Sequence, residues 1–202
     1  MTQHRSFPPE PWVVRETELD LSTLAQREAI FALSNGHIGL RANLEEGEPH
    51  GLPGTYLNSF YETWPMPHAE AGYGYPEVGQ TLVNVTNGKI IRLLVDDEPF
   101  DVRYGRLRAH ERVLDLRAGV LRRRAEWVSP AGQEVRVSSV RLVSFAQRAV
   151  AAILYEGEPL GAPARLVVQS ELVANEPLPV AGRGDPRAGA GVSSVLRSEF
   201  FS

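Results

Sequence analysis

Phe31-Ala32-Leu33-Ser34-Asn35-Gly36-His37-Ile38-Gly39-Leu40-Arg41 is the stretch whose reading decides the fold. Asn-Gly between alternating apolar residues is a strong local signal for a two-residue hairpin loop. A type I′ loop needs positive φ at both centres, and Asn followed by Gly tolerates that best. A loop centred on Asn35-Gly36 sets Ser34 against His37, Leu33 against Ile38 and Phe31 against Leu40. Residues 31, 33, 38 and 40 then share one apolar face, with Ala32 and Gly39 on the other. A slip of one residue would turn all four to the wrong side, so the pattern specifies the face. The competing reading is a helix over residues 24–33, opened by Thr23 and Gln26 as a capping box. The hairpin reading requires any helix to stop before Ile30.

Outward from the hairpin, residues 12–21 alternate loosely and predict a first strand. Residues 43–55 are acidic and dense in turn formers, which predicts a loop. Residues 55–61 predict a short aromatic strand. Residues 62–80 hold Trp64, His68, Tyr73 and Tyr75 among prolines and glycines. That is too long for an ordinary connection and predicts a functional or disordered loop. From Thr81 the β signal is nearly continuous. Residues 81–85 lead to a turn at Asn87-Gly88, then 89–95, a turn over 96–99, and 100–103. Further strands follow over 106–116, 120–128, 133–143, 148–155 and 164–172, with a tight turn at Ser129-Pro130-Ala131-Gly132. Residues 173–191 predict a linker, and 192–202 the opening of another strand. So many short strands with almost no helical period predict an all-β, antiparallel β-sandwich or barrel with few or no helices.

Composition excludes several function classes. The chain has 202 residues, enough to bury about 70 % of its unfolded surface, and a net charge of −4. Neutralising phosphates needs a cationic excess, so no nucleic-acid partner is expected. With no cysteine, disulfides and thiolate chemistry are out, and a zinc site would need histidines and carboxylates alone. The polar, Pro-rich N-terminus lacks a signal-peptide run, and residues 1–10 predict a disordered tail. No apolar run approaches a membrane span, so no membrane partner is expected and the cytoplasm is the expected location.

Generic catalytic motifs fail. Gly36-His37-Ile38-Gly39 opens no βαβ unit, no phosphate loop ends in Gly-Lys-Ser/Thr, and no nucleophile-elbow spacing occurs. His50 and His68 with nearby glutamates are the nearest approach to a metal set, but solvated loop histidines are the simpler reading. Glu45-Glu46 and Asp96-Asp97 predict solvated turns rather than convergent dyads, since strand neighbours point apart. Arg122-Arg123-Arg124 predicts a solvated sheet face. The contact candidates are therefore aromatic: Tyr61, Trp64, Tyr73 and Tyr75, with His68, are expected to meet a sugar or a partner domain. Against this, core strand positions are the simpler reading for Tyr56, Phe60 and Tyr61.

The segment from Glu28 through Asn35-Gly36-His37-Ile38-Gly39-Leu40-Arg41, then Leu44-Glu45-Glu46, then Gly54-Thr-Tyr-Leu-Asn-Ser-Phe-Tyr-Glu62, resembles the N-terminal region of glycoside hydrolase family 65. Leu114-Asp-Leu-Arg-Ala-Gly-Val-Leu-Arg122 and Arg141-Leu-Val-Ser144 match later landmarks. Ser34 and Ala42 stand where that family often has glycine. The resemblance implies a large galactose-mutarotase-like supersandwich over residues 11–202, incomplete at its C-terminus, with the family's catalytic (α/α)6 barrel absent. It implies a non-catalytic, active-site-shaping role within an inverting disaccharide phosphorylase. Such an enzyme needs no cofactor, only inorganic phosphate as co-substrate. Its partners would be the catalytic barrel of the same enzyme, a disaccharide such as maltose, trehalose or kojibiose, and a second copy in a homodimer. No residue here matches the family's general acid or phosphate site, so no catalytic, cofactor or metal residue is carried over. The alternatives are a stand-alone carbohydrate-binding sandwich, or the same domain in a family 65 hydrolase such as a trehalase.

Overall fold

The computed structural model describes residues 7, 9–66 and 72–174. Most of the expected N-terminal tail, His68, and the predicted linker and final strand beyond residue 174 lie outside the described residues. The chain runs β1 (Val13–Glu16), a 3-10 turn (Leu21–Thr23), α1 (Leu24–Ile30), β2 (Leu33–Ser34), β3 (Ile38–Leu40) and β4 (Thr55–Leu57). Then come β5 (Tyr61–Pro65), β6 (Val78–Leu82), β7 (Asn87–Val95), β8 (Glu98–Pro99) and β9 (Arg106–Asp115). It ends in β10 (Val120–Val128), β11 (Glu134–Val143), β12 (Ala151–Pro159) and β13 (Leu166–Val173). The fold is an all-β, antiparallel sandwich, as the strand spacing predicted.

The backbone of the fold is the sheet β1-β9-β10-β11-β12. Its strands obey period two: along β11, Val135, Val137, Ser139, Arg141 and Val143 are buried while their neighbours are not. Asp115 accepts from the backbone N–H groups of Arg117 and Ala118, which turns β9 into β10. Across the inner face, three rows line up by register. They are His110–Ala125–Val137, Arg112–Arg123–Ser139 and Leu114–Leu121–Arg141.

Two apolar clusters cover that face. The hairpin residues Phe31, Leu33, Ile38 and Leu40 pack with Leu114, Leu121 and Val143 at one end. Leu93, Val95 and Phe100 pack with Ala125, Trp127, Val135 and Val137 at the other. The arginine-bearing row lies between them.

Helix and hairpin both form, where the sequence posed them as alternatives. The helix includes Ile30, one residue past its expected limit, and Thr23 makes no side-chain cap. The hairpin is real, but its register differs from the predicted one. Leu33 pairs with Leu40 and Ser34 with Gly39, so the loop centres on Gly36-His37. Only Gly36 has positive φ, at +82°, which suits the first central position of a type II′ turn. Asn35 is not a turn centre because its side chain is committed. Its Oδ1 accepts from the N–H groups of His37 and Ile38, and its Nδ2 donates to the carbonyls of Ser144 and Arg148. The shift is two residues, so the apolar face survives and all four expected side chains are buried.

Asn87-Gly88 is likewise no turn. Asn87 opens β7 and its Oδ1 accepts from the Lys89 ammonium at 2.9 Å. The I′-type reversal falls instead at Asp96-Asp97, where φ is 48° and 73° between paired Val95 and Glu98.

Candidate functional site

Residues 62–65 and 78–80 are not part of the structureless loop the prolines and glycines suggested. They form most of an antiparallel ribbon in which β5 pairs with β6, Tyr61 opposite Leu82 and Trp64 opposite Gly79. Ser59, at φ 72°, turns the chain out of the β2-β3-β4 sheet, and among the described residues the ribbon joins no third strand. Phe60 and Tyr61 are therefore each 48 % exposed rather than core residues, and Tyr56 is half-buried.

Pleating divides the ribbon's side chains between two faces. Tyr61, Thr63 and Pro65 sit with Leu82, Gln80 and Val78 on one face, and Glu62 and Trp64 sit with Thr81 and Gly79 on the other. The expected aromatic cluster is thus split, with Tyr61 and Trp64 on opposite faces. Tyr73 and Tyr75 lie between β5 and β6 in sequence and are both exposed. His68 lies outside the described residues. Trp64 rests on Gly79, where a Cβ would fall within 2.6 Å of the indole, and its Nε1 donates to Thr81 Oγ1 at 3.1 Å.

The charged residues expected at the surface build the interior instead. Glu45 and Glu46 are 2 % and 3 % exposed. Arg123 bridges them: Nη1 donates to Glu45 Oε2 at 3.0 Å and Glu46 Oε2 at 2.5 Å, and Nη2 donates to Glu46 Oε1 at 2.7 Å. Arg141 and Ser139 complete Glu45, each at 2.9 Å. Two expectations fail here for one reason. The glutamates lie in a turn, not a strand, so adjacent side chains converge. The arginines lie in a strand, so Arg123 points inward while Arg122 and Arg124 stay exposed. Asp96 and Asp97 are solvated, as expected.

A second array joins Glu16 on β1 to Arg112 at 3.0 Å, His110 at 3.0 Å and Arg27 of the helix at 3.1 Å. Burial pushes the Glu16 and Glu45 carboxyls up, but the arginines and hydrogen-bond donors around each override it and hold both at about 2. Burial lowers the His110 pKa against the opposing pull of Glu16. Both carboxylates stay ionised at neutral pH and are occupied by guanidinium groups. Neither can supply a proton to a leaving group. Their work is to fasten residues 43–46 and the helix to the large sheet.

Among the described residues no group of three histidine or acidic side chains is placed to hold a metal. No described helix is long and apolar enough to cross a membrane. A largely apolar groove of about 630 Å³ opens between the small sheets and β12, lined by Leu57, Phe60, Ile91, Ile153 and Leu172 among others.

Residues 14–200 match the family model for the glycosyl hydrolase family 65 N-terminal domain. An uncharacterized glycosyl hydrolase of Mycobacterium tuberculosis is 67 % identical over 98 % of this chain, which spans 25 % of that relative. An alpha,alpha-trehalose phosphorylase of Thermoanaerobacter brockii is 38 % identical over 86 % of the chain and 23 % of its own length. A solved human-microbiome protein described as a kojibiose phosphorylase superposes with a TM-score of 0.68 at 26 % identity. That match covers 77 % of this chain and 21 % of the other. The chain spans about a quarter of the length of the curated relatives it matches.

Proposed function

The chain belongs to glycosyl hydrolase family 65 through its N-terminal domain, and from that premise we propose that it is the non-catalytic β-sandwich of an inverting α-glucoside phosphorylase. The longer enzyme would transfer a glucosyl unit from an α-linked disaccharide to inorganic phosphate, yielding β-glucose 1-phosphate and glucose, with no other cofactor. The trehalose, maltose and kojibiose phosphorylases among its relatives support that substrate class. The observation that carries the non-catalytic reading is the state of the buried acids. Glu16 and Glu45 are held ionised by arginines, whereas a general acid must reach the reaction protonated.

In this reading the sandwich packs on the (α/α)6 catalytic barrel of the same protein, in the cytoplasm, and supports a dimer. The docking element is the β5–β6 ribbon. Its Tyr61/Leu82 and Pro65/Val78 pairs leave an apolar face in solvent, and a two-stranded ribbon with both faces wet is marginal alone.

The test is turnover. The longer protein containing this chain is incubated with trehalose, maltose or kojibiose, with and without phosphate, beside the 202-residue chain alone. β-Glucose 1-phosphate should appear only with phosphate and only with the longer protein. Glucose release independent of phosphate would make the parent a hydrolase such as a trehalase. Turnover by the chain alone, lost on replacing one of its carboxylates, would overturn the non-catalytic reading.

A further inference from the structure

Docking through Tyr61, Leu82, Pro65 and Val78 uses one face of the ribbon and leaves the other without a task. That second face carries Glu62, Trp64, Gly79 and Thr81.

Trp64 is built there as a seat rather than as a plug. The missing side chain at Gly79 lets the indole lie against β6, since a Cβ there would sit 2.6 Å from Cε2 and Cζ2 and 3.1 Å from Cδ2. Thr81 Oγ1 already satisfies the indole N–H, so the rest of the ring asks for no polar partner. Trp127 shows the contrasting use of the same side chain. Its N–H is also satisfied, by the Tyr104 carbonyl at 2.6 Å, but the ring is fully buried in the core. Trp64 keeps 37 % of its surface in solvent.

Glu62 stands two residues before Trp64 on the same face, directly across from Thr81, with its side chain exposed. An open indole beside an exposed carboxylate fits one class of ligand well. A pyranose ring lays its C–H groups on the aromatic face, and its hydroxyls donate to the carboxylate, which can only accept.

We propose that Trp64, seated on Gly79, and Glu62 form a pyranose-binding subsite that takes a glucosyl unit of an α-glucoside; the sugar class rests on the functional reading above. The ribbon then has two faces with two tasks, an apolar one for a neighbouring domain and an aromatic, acidic one for sugar.

Saturation-transfer NMR on the whole 202-residue chain tests this. Maltose is the probe, and acyclic glucitol is the control with hydroxyls but no ring. Maltose ring protons should receive saturation and glucitol should not. Trp64→Ala should weaken maltose binding about two- to tenfold, the worth of one aromatic platform. Gly79→Val should do the same with Trp64 still present, because its Cβ displaces the indole. Glu62→Gln should weaken binding less, since the amide keeps one acceptor.

No saturation in the parent chain, equal saturation of glucitol and maltose, or an unchanged signal in Trp64→Ala overturns the subsite. The outcome separates from the functional reading. Phosphorolysis by the longer protein without maltose contact here refutes the subsite alone. Maltose contact through Trp64 in a protein that does not phosphorolyse α-glucosides refutes the phosphorylase reading alone.

Discussion

Replacing Arg123 with methionine should be among the most destabilising single changes in the chain. The guanidinium makes three charged hydrogen bonds to Glu45 and Glu46 and is itself 3 % exposed. After the change Glu45 keeps Arg141 and Ser139, each at 2.9 Å. Glu46 keeps no ion pair among the described residues, because Arg123 is the cation that meets its carboxylate. The variant therefore buries one uncompensated carboxylate in a row flanked by apolar clusters. Removing one partner of a buried pair costs about 3–5 kcal/mol. For a chain of this size each kcal/mol lowers Tm by about 2–4 °C, so a loss of about 4 kcal/mol lowers it by about 8–16 °C.

Urea titration of the parent, Arg123→Met, Glu46→Gln and the double variant closes a thermodynamic cycle. Glu46→Gln should recover about 1–3 kcal/mol in the Arg123→Met background, since the stranded charge is gone, yet be destabilising in the parent. A loss under about 1 kcal/mol for Arg123→Met, or no recovery in the double variant, would refute the claim that this row is a coupled charge array.

The same array sets an acid limit. Glu16 and Glu45 are depressed to about 2 from 4.5, so each contributes stability that is present above about pH 4.5 and is lost as pH falls toward 2. His110 is lowered from 6.5 by burial; below pH 6.5 the unfolded chain takes up that proton first, so a shallower loss should begin there. Chemical denaturation from pH 8 to 2 should show both phases, and Glu16→Gln with Glu45→Gln should flatten the lower one. Gly36→Val should cost more than about 1 kcal/mol in a urea titration, because φ of +82° strains a β-branched residue although open space surrounds the Cβ position. Trp64→Ala should move the stability of the chain by no more than about 1 kcal/mol, since the ring lies outside both apolar clusters. In the longer enzyme the same change should raise KM for the disaccharide and leave domain docking, which uses the opposite face of the ribbon, unchanged. A large stability loss with unchanged kinetics there would make Trp64 a packing residue.

What the sequence made legible was set by range. Strands β9 to β13 announce themselves because period two and turn residues are local, and each strand carries its own evidence. The hairpin face was legible for the same reason. Its register was not, because Asn35 is spent on carbonyls more than a hundred residues away, a contact that no local propensity contains. The charged interior was illegible on the same ground. Glu45-Glu46 and the arginine run 122–124 each look solvated when read alone, and they are buried only because they meet across 77 and 78 residues of chain. One local clue was present. Period two through Leu121, Ala125 and Trp127 places Arg123 on the inward face, and an inward arginine on a central strand demands a carboxylate from somewhere. An acidic pair placed in a turn-rich segment is the partner such a residue would need. The ribbon is hidden differently: its glycines and prolines carry the local signature of a loop, whereas Gly79 is the space beneath Trp64 and Pro65 ends a strand. A glycine opposite an aromatic on a paired strand marks a ring that lies flat on its neighbour, and that is the arrangement on which the sugar subsite stands.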